Sequence, residues 1–135
     1  MEQIIRGDIY YADLSGWRGA EQGTDQGDFR PVLVVQNDVG NKYSPTTQIA
    51  PLTSKTTKRS LPTHVRFDRG IGGLREPSTV LMEQLRTIDK SRLKYYVGHI
   101  DNNKMYEVDC AIATSLFPFN VASAFSQMLA NAIPA

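Results

Sequence analysis

Apolar and polar positions alternate at short range through the first two thirds of the chain and then shift to a helical period. Residues 6–13 (RGDIYYAD) are rich in β-branched and aromatic side chains and predict an opening strand. Residues 31–36 (PVLVVQ) form a continuous apolar run, the pattern of a strand covered on both faces. The segment from Asn37 to Asn41 follows with turn-forming residues. Over residues 46–53, Thr47, Ile49 and Pro51 share one face and Gln48, Ala50 and Leu52 the other, which leaves Thr53 at a strand end. Residues 64–67 alternate again, and residues 79–84 (TVLMEQ) predict one more strand. Short strands this closely spaced, with turn signals between them, predict a small antiparallel β-barrel.

Helices come late. Asp89 is placed to cap a short helix reaching Leu93, and Asp101 to cap a longer one carrying Met105, Val108, Ile112 and Leu116 at helical spacing. Pro118 ends it. Asn120 can then cap a further helix with Val121, Phe125, Met128, Leu129 and Ile133 on its apolar face. Ser123, Ser126, Gln127 and Asn131 make this tail too polar for a membrane span, so it is expected to dock on the barrel or across a dimer seam. The expected organisation is a domain over residues 1–117 followed by a helical tail over 118–135.

Composition narrows the class. A chain of 135 residues, 41% hydrophobic and 21% charged, has the length and content of one ordinary globular domain. Cys110 is the single cysteine, which excludes an internal disulfide framework and a cysteine-built zinc site. The opening MEQIIRGD lacks the layout of a signal peptide, and a cytoplasmic protein is expected. The net charge of +1 says little, but between Ser54 and Arg75 six cations (Lys55, Lys58, Arg59, Arg66, Arg69 and Arg75) accompany one acid, Asp68. Such a stretch can attract phosphates, or it can be a solvated loop and strand face.

Several motifs lead nowhere. Arg6-Gly7-Asp8 spells an adhesion tripeptide without meaning inside a strand, and Gly70-Ile71-Gly72-Gly73 lacks the spacing of a dinucleotide site and reads as a flexible loop. His64 and His99 have no metal-ligand partners at a recognisable spacing, and neither a nucleophile elbow nor a thiol–histidine arrangement occurs. No metal or cofactor is expected.

Four blocks, in order, resemble one known family. Arg6-Gly7-Asp8-Ile9-Tyr10-Tyr11-Ala12-Asp13-Leu14 looks like the first strand of the MazF/PemK/Kid toxins, and Arg30-Pro31-Val32-Leu33-Val34-Val35-Gln36-Asn37-Asp38 like their second strand and turn. Leu61-Pro62-Thr63-His64-Val65 and Glu83-Gln84-Leu85-Arg86-Thr87-Ile88-Asp89 are similar to the Gram-positive MazF branch. The resemblance spans residues 6–116. It implies an SH3-like barrel with a C-terminal helix, a homodimer, metal-independent cutting of single-stranded RNA within short sequences, and silencing by a MazE-like antitoxin. The competing expectation is a CcdB-like toxin, which shares the barrel but binds DNA gyrase without catalysis. Such proteins act through a C-terminal segment bearing tryptophan, whereas the only tryptophan here is Trp17.

On this alignment Arg30 and Thr53 take the places of the family's catalytic arginine and threonine. The chemistry suits RNA, which carries its own nucleophile in the 2′-hydroxyl. A protein need only align that oxygen and stabilise charge on the phosphate. A guanidinium donates two hydrogen bonds to phosphate in a fixed fork, and a threonine hydroxyl can donate a third. Neither is an ordinary base. Glu83 is the further catalytic candidate, because the Kid branch has an acidic general base at that position. That branch also has an arginine two residues earlier, where this chain has Leu81. Glu83 can equally contact a base edge or pair with Arg86 as a strand-end carboxylate.

Other residues are expected to hold RNA. Glu21, Gln22 and Gly23 lie in the loop before Arg30; Gln84, Arg86, Thr63 and His64 offer polar contacts to base edges. Phe29 and Trp17 can stack on bases or pack within the loop, and Lys55, Lys58 and Arg59 attract phosphate without choosing sequence. The segment from Thr24 to Phe29 lengthens that loop beyond the usual family form.

Overall fold

The computed structural model describes residues 3–16, 29–55, 61–118 and 121–132. Trp17, Glu21, Gln22, Gly23, Lys58 and Arg59 lie outside them. Among the described residues seven strands form: β1 Asp8–Asp13, β2 Phe29–Val34, β3 Thr46–Thr53, β4 His64–Phe67, β5 Ser78–Leu81, β6 Arg86–Asp89 and β7 Leu93–His99. Three α-helices accompany them among the described residues, α1 Asp38–Tyr43, α2 Asn102–Leu116 and α3 Val121–Ala132. The strand order is β4–β5–β3–β2–β1–β7, with β6 also paired to β3, and every pairing is antiparallel. The ladder is not closed edge to edge among the described residues, and the fold is barrel-like.

The eight-residue β3 organises this sheet. Its first half pairs with β6, its middle with β2 and its last two residues with β5. Both faces of the central strands are covered, which accounts for the unbroken apolar run of β2. Leu33, Ala50, Leu52, Val65, Phe67, Val80 and Met82 pack beneath α2 in one core. Val32, Val34, Ala12, Ile49, Ile88 and Leu93 form the other. Burying a side chain of this size contributes about 1.5–3 kcal/mol.

Several local expectations are corrected. The polar segment after β2 is a helix, because the Asn37 side chain accepts from Gly40 N at 2.9 Å and caps it. The last predicted strand ends at Leu81, and Met82–Gln84 turns as a 3₁₀ helix. Asp89 caps only a 3₁₀ turn, Lys90–Arg92, and β7 then begins. Asp101 caps α2 through Lys104 N, as its position suggested, but the buried side of α2 is Met105, Val108, Ala111 and Ala113, with Leu116 exposed.

The glycine segment is not a loose loop. Gly72 and Gly73 have positive φ, and a Cβ on Gly73 would collide with the Val97 carbonyl of β7. The Arg6-Gly7-Asp8 tripeptide is a structural joint. Arg6 donates to the Val35 carbonyl at 2.8 Å and pairs with Asp109 of α2, while Asp8 accepts from Ile5 N and lies 2.8 Å from His99 Nδ1.

The tail forms its helix, α3, yet within the single chain Met128 and Leu129 are each 62% exposed. No helix among the described residues is long and apolar enough to cross a membrane.

Candidate active site

Arg30 enters β2 immediately ahead of Pro31, and Thr53 is the last residue of β3. These strands pair with Val32 opposite Pro51 and Leu33 opposite Ala50. The pairing ends at Val32 and Pro51, and the same register carried two residues further would set Arg30 across from Thr53. Cross-strand partners of an antiparallel pair project to the same face. Thr53 in turn pairs with Thr79 of β5, and Arg30 with Ala12 of β1. A guanidinium and a hydroxyl are thereby brought to one row of the sheet by residues 23 positions apart.

Both groups are buried, Arg30 to 2% exposure and Thr53 to 3%. Arg30 Nη1 donates to the Leu52 carbonyl at 3.4 Å, which holds the guanidinium against the backbone just before Thr53. The Thr53 Oγ1 accepts from Lys55 N at 3.2 Å, as threonine does at a strand end. That bond fixes the oxygen while leaving its proton available for donation. A buried cation beside an oriented hydroxyl is suited to an anion, because charge interactions strengthen where water is excluded.

A cavity of about 260 Å³ adjoins this end of the sheet. Arg30 lines it together with Tyr11, Phe29, Leu52, Ser54 and Arg75, among others. Thr53 does not, although both of its neighbours do. Tyr11, Arg75 and Ser78 were not singled out from sequence as site residues. For Arg75 a signal existed in the cationic stretch; Tyr11 and Ser78 are brought to the cavity only by tertiary placement.

Glu83 belongs to a second cluster. Its Oε1 accepts from Thr63 Oγ1 at 2.9 Å and its Oε2 lies 3.0 Å from His64 Nε2. Leu61 N donates to His64 Nδ1, which leaves Nε2 as the protonated nitrogen facing the carboxylate in the neutral ring. The partners of this strand-end carboxylate are thus Thr63 and His64. Two expected RNA contacts, Thr63 and His64, come together here with the catalytic candidate Glu83, and Gln84 and Arg86 follow within three residues in the chain. Glu83 lies four residues past Thr79, roughly 10–13 Å of chain from the Arg30–Thr53 row. Phe29 lies exposed at the cavity and Lys55 is exposed two residues beyond Thr53. Among the described residues no group of three or more His, Cys, Asp or Glu side chains is placed to hold a metal ion.

A family model described as PemK-like, MazF-like toxin of type II toxin–antitoxin system matches residues 5–116. The chain is 49% identical over 113 residues to Endoribonuclease EndoA of Bacillus subtilis (strain 168), covering 84% of this chain and 94% of that protein. A solved endoribonuclease in complex with its cognate antitoxin, from Mycobacterial species, is similar with TM-score 0.68 at 26% identity, over 87% of this chain and 99% of that one. MazF (Form-I) from Deinococcus radiodurans shares the fold, with TM-score 0.70 at 22% identity over 86% of this chain and 98% of that one.

Proposed function

The chain belongs to the PemK-like, MazF-like toxin family of type II toxin–antitoxin systems, and from that premise we propose that it is an endoribonuclease whose cut site is the Arg30–Thr53 row. What supports this reading is the burial of both groups at the same end of the paired strands β2 and β3, with Arg30 Nη1 tied to the carbonyl before Thr53.

In this reading the Arg30 fork binds the phosphoryl oxygens of single-stranded RNA and Thr53 donates to one of them. The substrate 2′-hydroxyl attacks the adjacent phosphorus, the bond to the 5′-oxygen of the next nucleotide breaks, and the downstream product leaves with a 5′-hydroxyl. Positive charge is fixed before the reaction where negative charge grows, so little reorganisation is needed. The burial of both groups means that a phosphate reaches them only as neighbouring atoms give way.

The distance of Glu83 along β5 and its hydrogen bonds to Thr63 and His64 favour base-edge recognition over proton transfer. Gln84 and Arg86 extend that recognition surface; Phe29 lines the cavity beside Arg30, and Lys55 supplies phosphate attraction. The loop with Glu21, Gln22 and Gly23, and Lys58 with Arg59, complete the RNA path proposed from the resemblance. A cognate antitoxin is the regulating partner, as in the mycobacterial complex, and the working form is a cytoplasmic homodimer.

The test is incubation of the purified protein with a mixed-sequence RNA pool in chelator, followed by sequencing of the ends. Cleavage leaving 5′-hydroxyl ends, and its loss when deoxyribose replaces ribose at the mapped cut, is expected. Intact RNA across the pool, or continued cutting of the deoxy substrate, would refute the reading.

A further inference from the structure

The side chains of Thr63, His64 and Glu83 form a cluster that is not needed to join the strands it lies between. The backbone already joins them: His64 pairs with Leu81 in the β4–β5 ladder, and Met82 N donates to the Thr63 carbonyl at 3.0 Å. The side chains make instead a chain of donors that ends on Glu83. Leu61 N donates to His64 Nδ1 at 3.4 Å, so the neutral imidazole keeps its proton on Nε2 and donates it to Glu83 Oε2 at 3.0 Å. Thr63 Oγ1 donates to Glu83 Oε1 at 2.9 Å. The His64 side chain is 8% exposed and that of Glu83 35%, so a buried ring supports a carboxylate that solvent still reaches.

A carboxylate paired with a histidine is a common surface feature and by itself implies no ligand. Here both oxygens are held by donors of the protein, and each keeps a further lone pair. The group meets an incoming molecule as an acceptor alone, in a fixed orientation. Resting on the reading of the chain as an RNA-cutting enzyme, we propose that Glu83 selects a base that presents an amino group and disfavours uracil, with His64 and Thr63 as the positioning residues that hold it to that choice.

The bases differ in the way this choice requires. Adenine, cytosine and guanine each carry an exocyclic amino group on the Watson–Crick edge, which readers of single-stranded RNA use. Uracil carries none. Its one N–H on that edge lies between two carbonyl oxygens, which would face the carboxylate lone pair to lone pair. A carboxylate free to turn could swing away from those oxygens, whereas one held on both of its own cannot. Thr63 and His64 thereby act on RNA through Glu83, because the hydroxyl proton of one and the Nε2 proton of the other are engaged by it.

The experiment maps the cut site of the full chain on a mixed-sequence RNA pool and then changes each flanking base of a synthetic RNA singly. Purine riboside for adenosine, 2-pyrimidinone riboside for cytidine and inosine for guanosine remove only the amino group. At one position this loss, and likewise a uracil, should lower the parent rate about 10- to 100-fold, the range for a hydrogen bond to a charged group. In His64→Phe, which keeps a ring and removes the donor, the same change should cost less than about three-fold. His64→Gln, whose amide can donate to Glu83, should restore the penalty. Thr63→Val should lessen it and Thr63→Ser restore it.

Nitrogen chemical shifts of the imidazole in the free parent protein supply a readout that needs neither variant nor RNA, and the proton is expected on Nε2. A ring protonated mainly on Nδ1 would overturn the proposal. So would an RNA in which no flanking amino group matters, a penalty undiminished in both His64→Phe and Thr63→Val, or a folded His64→Gln that fails to restore it. A parent protein that cuts no RNA would instead remove the enzymatic reading, and the tautomer would still test the hold on Glu83.

Discussion

Replacing Arg30 by alanine separates catalysis from folding, because the two effects differ in size and can be worked out from the same contacts. On the folding side the terms oppose one another. The side chain is 2% exposed, so alanine loses about two buried methylene groups at ~0.8 kcal/mol each. It also leaves the Leu52 carbonyl without its 3.4 Å donor, at a cost of about 1–3 kcal/mol for a buried acceptor. Against these, a guanidinium no longer has to be held out of water, which recovers several kcal/mol. The net change should stay within roughly 2 kcal/mol, a melting shift of several degrees for a chain of this size. On the catalytic side, each preorganised donor removed from a developing charge costs about 10²–10³ in rate, and Arg30 offers two. Single-turnover cleavage in chelator should therefore fall by at least ~10³ while the thermal melt stays cooperative. Arg30→Lys keeps the charge but not the fork and should recover no more than about a tenth of the parent rate. Cleavage by Arg30→Ala within about ten-fold of the parent, with the fold intact, would refute the phosphate clamp.

Thr53→Val, which swaps the hydroxyl for a methyl, should cut about 10- to 100-fold more slowly in the same single-turnover assay, and Thr53→Ser should recover most of the loss. Glu83→Gln should change the sequenced cut-site preference while the rate falls less than about ten-fold; a loss beyond ~10² would return Glu83 to proton transfer. The Asp13 and Asp89 carboxyls are held below their ordinary value of 3.8, first by the backbone N–H of Ser15 and Ser91 respectively and then by those residues' side chains. Their stabilisation is therefore complete above about pH 5 and is lost as pH falls through the lowered values, so Asp13→Asn with Asp89→Asn should flatten the melting temperature between about pH 2 and 5. A chain ending at Phe117 should keep its fold and cut RNA, since Met128 and Leu129 are exposed in α3; loss of the cooperative melt would show that the tail holds the barrel together.

The fold was legible where pattern is local. Residues 64–67 and 46–53 alternate cleanly, and β4 and β3 occupy those same spans. Strands β6 and β7 were missed for a physical reason. The apolar residues of β6 are sparse because only Ile88 is buried there, and β7 presents Lys94, Tyr95 and Tyr96 to solvent as an edge. Neither carries the alternation that marks a half-buried strand. The Asn37 segment looked like a turn because asparagine, aspartate and glycine serve turns and helix caps alike. Only the buried Asn41, bonded to Gln36, Asp38 and Thr47, decides between them.

The candidate site divides along the same line. Arg30 and Thr53 could be singled out by their place in the family blocks, but their opposition depends on β2 pairing with β3 across the α1 connection, a register that no local pattern contains. Their burial is equally non-local: an arginine before a proline-led strand reads as a surface charge until the strands on either side close over it. Glu83 shows the converse. Its neighbour Arg86 was the partner suggested by sequence, three positions on, whereas the groups that hold it come from β4 and the residue before it, about twenty positions away. A carboxylate engaged on both oxygens keeps a fixed orientation, while each oxygen retains a further lone pair to accept with. That fixed orientation suits the proposed base recognition better than taking a proton from a hydroxyl bound beside Thr53. The separation of the proposed phosphate clamp from the proposed base reader thus follows β3, which carries Thr53 at its end and, through its pairing with β6, Arg86 opposite Ile49 at its middle.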